Sequence, residues 1–373
     1  MKLETLAVHA GREPDAATGA LAPPIHLATT FKHGPAAERI AGYEYVREGN
    51  PTQDRFETAL AALEGGAAAL AFASGMAATT ALLSELPRGA HLLLPEDTYN
   101  GTRVFAREFL GEREIVATAV DMTRTDAVAA ALRPETRCVW IESPSNPQLR
   151  VADIGAIAAL ARAHDALVAA DNTFATPVLQ NPLALGADVV MHSTTKYIGG
   201  HSDVLGGALV FARRDALYER VAHRRHVTGA VASPFSAWLL LRGLASLPSR
   251  MAWHCRSARL VAEFLAAQPG IDAVNWPGLP QHANHAIARR QMRDFGAMLS
   301  VHVRGGRDAA LAFAGRLKLI TNATSLGGVE SLIEHRASTE GSAPVSPANL
   351  LRISVGLEHP EDLIADLAQA LSS

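Results

Sequence analysis

Lys196 lies in the stretch HSTTKYIGGHSD, which runs from His192 to Asp203, directly after three hydroxyl side chains. The chain has four lysines, Lys2, Lys32, Lys196 and Lys318, so thirty of its 34 basic residues are arginine. Arginine keeps its proton at physiological pH, whereas a lysine amine can lose it and act as a nucleophile or base. Retaining lysine here therefore points to amine chemistry. A carboxylate suited to the same chemistry stands 25 positions earlier (196 − 171), where Asp171 closes the apolar run ALVAAD. That separation matches one crossover between neighbouring strands, which places both side chains on one crevice. A carboxylate at the end of a buried strand needs a cationic or hydrogen-bonding partner. A lysine that bonds to an aldehyde and an aspartate that faces a pyridinium nitrogen are the two protein groups that pyridoxal phosphate needs most. The other reading of Asp171 is a helix cap or turn residue.

Two further groups fit that chemistry. The run SGMAA, from Ser74 to Ala78, places small residues at a strand-to-helix junction, where unpaired N–H groups can receive an anion. With the hydroxyls of Ser193 and Thr195 and an arginine nearby, it would form a phosphate cup. Tyr99 follows the apolar run HLLLPED and could stack on a flat ring or exchange a proton through its hydroxyl. An ordinary surface tyrosine is the alternative.

The elements that must hold these groups alternate. TQDRFETALAALEGG has helical spacing and a stop at Gly65 and Gly66; AALAFA reads as a short strand, and SGMAATTALLSEL starts the next helix. AHLLLPED, EIVATAVD, CVWIESP, ALVAAD, DVVMHS and GGALVF are short apolar runs with polar tips, separated by helical stretches such as ADIGAIAALARAHD. Such alternation predicts an α/β fold with a mainly parallel sheet covered on both faces. Its binding crevice lies past the strand ends, at Ser74, Asp97, Glu142, Asp171 and the segment from His192 to Lys196. Residues 1–50 hold Pro14, Pro23, Pro24 and Pro35 and read as an irregular arm that packs on a neighbouring subunit. Residues 51–233 read as the large α/β domain and 234–373 as a smaller α+β domain. In the latter a long helical region is broken at Pro248, AMLSVHVRGG, LKLITNA and LLRISVGLE are strands, and a last helix starts at Pro360.

The totals exclude other classes. A length of 373 residues with 48% hydrophobic and 19% charged residues is a globular balance with room for two domains. A net charge of −3 gives no electrostatic case for nucleic acid or an acidic membrane. No apolar run approaches a membrane span, the opening lacks a signal-peptide core, and two cysteines make no disulfide framework, so a cytoplasmic setting is expected. No GxGxxG opens an early βαβ unit, which disfavours a nicotinamide enzyme. The pairs His223/His226 and His282/His285 lack acidic or cysteine partners and read as surface or packing residues, with no metal.

The stretches YVREGNPT, SGMAA, ESPSNP, DNTFATP, HSTTKYIGGHSDVLGG, TSLGGVESLIEHRAS and LLRISVGLE, in that order, resemble the Cys/Met-metabolism (trans-sulfuration) family of pyridoxal-phosphate enzymes. The resemblance covers nearly the whole chain. It implies transferase fold type I, the aspartate-aminotransferase type, and a tetramer of two tight dimers. It makes Lys196 the lysine that bonds to the cofactor and moves the proton at the substrate Cα. Asp171 would face the ring nitrogen, Asn146 the phenolic oxygen, and Tyr99 the ring. Gly75, Met76, Ser193 and Thr195 would hold the phosphate, joined by Tyr45 and Arg47 from a neighbouring subunit. Arg352 would grip the substrate α-carboxylate beside Ser325, with Thr324, Tyr45 and Arg103 also on the substrate side. The substrate would be a sulfur amino acid or an O-acyl-homoserine. Thr324 stands where many γ-enzymes of the family carry Glu, and Gly101 where methionine γ-lyases carry Cys. The preferred expectation is γ-elimination or γ-replacement of the cystathionine γ-synthase/γ-lyase type. The alternatives are a β-lyase, a methionine γ-lyase or an idle cofactor-binding relative.

Overall fold

Seven of the short apolar runs pair into one sheet in the computed structural model, which describes residues 1–341 and 344–372. They are β1 (Ala68–Phe72), β2 (His91–Pro95), β3 (Val116–Val120), β4 (Thr136–Glu142), β5 (Leu167–Asp171), β6 (Val189–His192) and β7 (Gly207–Phe211). Across the sheet the order is β1-β7-β6-β5-β4-β2-β3. β7 is antiparallel to both neighbours and every other pair is parallel, so β1 to β6 all end at one edge.

Alternate side chains of a strand enter opposite faces. Cys138 and Trp140 of β4 join Leu209 and Phe211 of β7 on one face, with Leu82 of helix Gly75–Leu83 and Val221 of helix Ala216–Thr228. Val139 and Ile141 turn the other way, toward Val168, Ala170 and the helix Ile154–Arg162. Cover on both faces explains why the strands read as unbroken apolar runs. Each large side chain so buried contributes about 1.5–3 kcal/mol relative to exposure.

A second sheet follows. β8 (Ile271–Asn275), β9 (Met298–Val303), β10 (Thr321–Asn322), β11 (Leu332–His335) and β12 (Leu350–Ser354) lie in the order β10-β11-β12-β9-β8. Only β10 and β11 pair in parallel. The strand expected over LKLITNA shrinks to two residues. Asp366 accounts for this, because it accepts from the N–H groups of Lys318, Leu319 and Ile320 and so takes donors that a ladder would need.

Two expectations change. Residues Leu3–His9 are helical, with Ala7 buried and Leu3 and Leu6 packed on the main core, so the arm is irregular only beyond them. Pro248 breaks no helix: Pro234–Ala266 is continuous over 33 residues. A proline removes an N–H and crowds the preceding turn. Here buried Leu240, Leu244, Leu247 and Met251 hold the helix to the core on both sides of the proline, and the Arg250 guanidinium donates to the Gly243 carbonyl at 2.9 Å. The same guanidinium donates to the Tyr197 carbonyl at 2.7 Å. The long helix thereby fixes the backbone next to Lys196.

Candidate functional site

The strand order brings the polar tips together. Ser74, Gly75, Met76, Tyr99, Asn146, Asp171, Ser193, Thr195, Lys196, Thr324, Ser325 and Arg352 line one cavity of about 610 Å³, at the carboxyl edge of the first sheet and against the second. This is within the size range of cofactor and small-molecule sites. Tyr45, Arg47 and Arg103 do not line it. Tyr45 and Arg47 stand exposed on the arm, the guanidinium 5.0 Å from the tyrosine ring centre. Arg103 lies on helix Asn100–Phe105, and its fork donates to Oδ1 of Asn100, a residue of the cavity wall, at 2.9 Å.

Lys196 lies between the two sheets, and its amine donates to the Ser325 hydroxyl at 2.9 Å. Burial, then the positive charge of Arg352, pushes its pKa down to about 8, with Glu334 opposing. A neutral amine is therefore accessible near neutral pH, as an aldehyde-binding nucleophile or a base requires. In cofactor-free protein we expect the reaction of this amine with a small aldehyde to rise with pH about a midpoint near 8. A midpoint near the ordinary lysine value of 10.5 in a pH series of rates would contradict its burial.

Asp171 is buried and accepts from the Thr173 N–H at 3.0 Å. Burial holds its carboxyl above the usual range, while Thr173 and His192 pull it back. Beside it in register is Glu142, driven well above the carboxylate range by burial and then by the Asp171 charge. Glu142 accepts from the Tyr99 N–H at 2.8 Å, the Thr98 hydroxyl at 2.9 Å and the Asn146 N–H at 2.7 Å. It thus ties the loops of Tyr99 and Asn146 to the strand edge. Its place at a strand tip was legible in the sequence; these partners, from the loops after β2 and β4, were not.

Ser74 caps the helix Gly75–Leu83 by accepting from the Ala77 N–H at 3.0 Å. The N–H groups of Gly75 and Met76 are in the first turn, where no intrahelical acceptor exists. A Cβ on Gly207 would stand 2.1 Å from the Ser74 carbonyl oxygen, and one on Gly75 would stand 2.9 Å from Ser193 Cβ. Glycine at both positions lets the turn close on β7 and the Ser193 loop.

Arg352 projects from the centre of β12 and is 4% exposed. Its fork donates to Asn146 Oδ1 at 2.9 Å, the Ser325 carbonyl at 3.0 Å and Glu334 Oε2 at 2.5 Å. Ser325, with φ of 86°, holds a left-handed backbone rare for a non-glycine residue, and it touches both Lys196 and Arg352. Glu334 and Arg336, also in the cavity wall, were missed in the sequence because β11 has only four residues, with a polar end.

These residues fit pyridoxal phosphate. A lowered-pKa amine, a buried carboxylate, an aromatic ring, a helix start with unpaired N–H groups and a buried arginine share one cavity. Asn146 lines the same space.

The likenesses to known proteins agree. The profile of the family described as "Cys/Met metabolism PLP-dependent enzyme" matches residues 4–372. The cystathionine gamma-synthase of Mycobacterium tuberculosis (strain ATCC 25618 / H37Rv) is 50% identical over 373 residues, covering 98% of this chain and 96% of that protein. The solved structure of metB from Corynebacterium glutamicum matches with a TM-score of 0.98 at 43% identity, over 100% of this chain and 98% of that one. That of cystathionine gamma-lyase from Lactobacillus plantarum matches at 0.95 and 41%, over 100% and 99%. With the cavity's chemistry, these matches place the chain in the Cys/Met-metabolism family of pyridoxal-phosphate enzymes, as a trans-sulfuration enzyme of the carbon–sulfur lyase and transferase type.

Proposed function

We propose that the protein catalyses γ-replacement and γ-elimination on an O-acyl-homoserine or on cystathionine. The observation that carries the proposal is the Lys196 amine, with pKa about 8, in a cavity that also holds Asp171 and Arg352. Bound pyridoxal phosphate supplies an electron sink for charge that develops at the substrate Cα. Arg352 holds the α-carboxylate through its planar fork. Lys196, once neutral, takes the Cα proton and delivers a proton back on the same side of the site, while the Ser325 hydroxyl steadies its nitrogen. With the cofactor bound, Asp171 would face the ring nitrogen and favour its protonated form. Asn146 would donate to the phenolic oxygen, and Tyr99 would cover the ring. Gly75, Met76, Ser193 and Thr195 would hold the phosphate. Loss of the Cβ proton and departure of the γ-group as an acid or thiol open Cγ to an incoming thiol. Without capture, hydrolysis yields a 2-oxo acid and ammonia.

The cofactor unit spans residues 51–233 and the second unit 234–373, preceded by the arm. The working form is a homotetramer in the cytoplasm, in which Tyr45 and Arg47 complete the phosphate and substrate site of a second copy. The exposure of Leu21, Leu27 and Ile40 on the arm, 78%, 67% and 62%, supports a partner there. Both cysteines are free and buried, which supports a reducing compartment. Among the described residues no helix is long and apolar enough to cross a membrane. Product identification tests the reaction. O-succinylhomoserine plus cysteine should yield cystathionine, and a γ-substituted substrate alone should yield 2-oxobutanoate. Pyruvate from cystathionine with no γ-product would instead identify β-elimination.

A further inference from the structure

Resting on the γ-replacement reading, we propose that Glu334 and Arg336 form a second amino-acid subsite. It takes the ammonium and carboxylate of the incoming amino-acid thiol, or of the far end of a cystathionine-type molecule. Glu334 is the third residue of β11, and Arg336 opens the short helix Arg336–Thr339. They are 3% and 7% exposed, and both line the cavity with Thr324 and Thr339.

Glu334 Oε2 accepts from Arg352 at 2.5 Å and from Arg336 Nη1 at 3.1 Å. Its other oxygen, Oε1, is buried without a hydrogen-bond partner, and so is Arg336 Nε. The remaining end of the Arg336 fork reaches Glu340 Oε1 only at 3.8 Å. Glu340 is itself engaged by the N–H groups of Val345 and Ser346 and by the Ser346 hydroxyl, which draw it toward the loop.

One stretch of cavity wall therefore combines an unfilled anionic acceptor with an unfilled cationic donor. Buried polar groups are normally paired, and an exception in a cavity wall indicates what a ligand brings. The complement to this pair is a molecule with a donor cation and an acceptor anion on one carbon, the zwitterion of an α-amino acid. Arg352 is committed to Asn146, Ser325, Glu334 and the first substrate's carboxylate, which leaves Arg336 for the second. Hydrosulfide and a simple alkyl thiol offer neither group.

The test uses holoenzyme and one O-acyl-homoserine, with cysteine or hydrosulfide as the competing thiol. In Arg336→Leu, the ratio of kcat/KM for cysteine to that for hydrosulfide should fall at least about tenfold, through the KM for cysteine. Arg336→Lys, which keeps the charge, should recover part of it and serves if the leucine variant folds poorly. An unchanged ratio in both variants would overturn the subsite. If the unaltered holoenzyme turned over no γ-substituted substrate, the γ-replacement reading would fall, and the subsite with it. Activity confined to hydrosulfide in the unaltered enzyme would overturn the subsite alone.

Discussion

Lys196→Ala is expected to lower kcat/KM for every substrate by at least about a thousandfold, the scale on which a positioned general acid–base operates. The loss combines two roles, bonding to the cofactor and moving the Cα proton. Lys196→Arg should not restore activity, because a guanidinium keeps its proton at any working pH. The fold should survive either change. The amine makes one hydrogen bond, to Ser325, and the adjoining backbone is held independently by Arg250. Thermal unfolding near the parental temperature, with turnover lost, would confirm that the effect is chemical. Turnover within tenfold of the parent would refute the assignment.

Arg352→Leu is expected to raise the KM for amino-acid substrates and to lower kcat/KM by about a hundredfold to a thousandfold. A hydrogen bond to a charged group is worth about 1.5–3 kcal/mol, and the fork would make two to the substrate carboxylate. Here Glu334 would keep only Arg336, while Asn146 Oδ1 and the Ser325 carbonyl would lose a donor. The variant also makes a signed prediction about Lys196. Arg352 is the largest charge lowering that pKa, so its removal should move the amine's titration midpoint upward from about 8. A pH series of aldehyde reaction rates checks this; a midpoint that stayed put or fell would contradict the electrostatic account.

Much of this site was legible because parallel sheets leave few choices. An apolar run must end where it leaves the core, and β1 to β6 end on one edge, so Asp171, Lys196, Tyr99 and the Ser74 turn could be placed from their positions at run ends. Residues whose role depends on long-range contacts were harder to read. Glu142 was visible as a strand tip, but its hold on Tyr99 and Asn146 joins residues 43 and 4 positions away. Glu334 and Arg336 come from a four-residue strand whose pattern is too short to show a period. Pro248 looked like a break because local propensity favours one. Burial along the helix overrides it. Arg103 was placed on the substrate side by its position in a matching stretch; three residues along a helix put it on the face of Asn100, which lines the cavity.

The most direct measurement is reduction of the holoenzyme with borohydride, followed by digestion and peptide mass analysis. If the account holds, the pyridoxyl mass is found on the peptide containing Lys196, and Lys2, Lys32 and Lys318 are unlabelled. Labelling of any of those three in its place, or of no lysine in protein that is active and binds the cofactor, would contradict it.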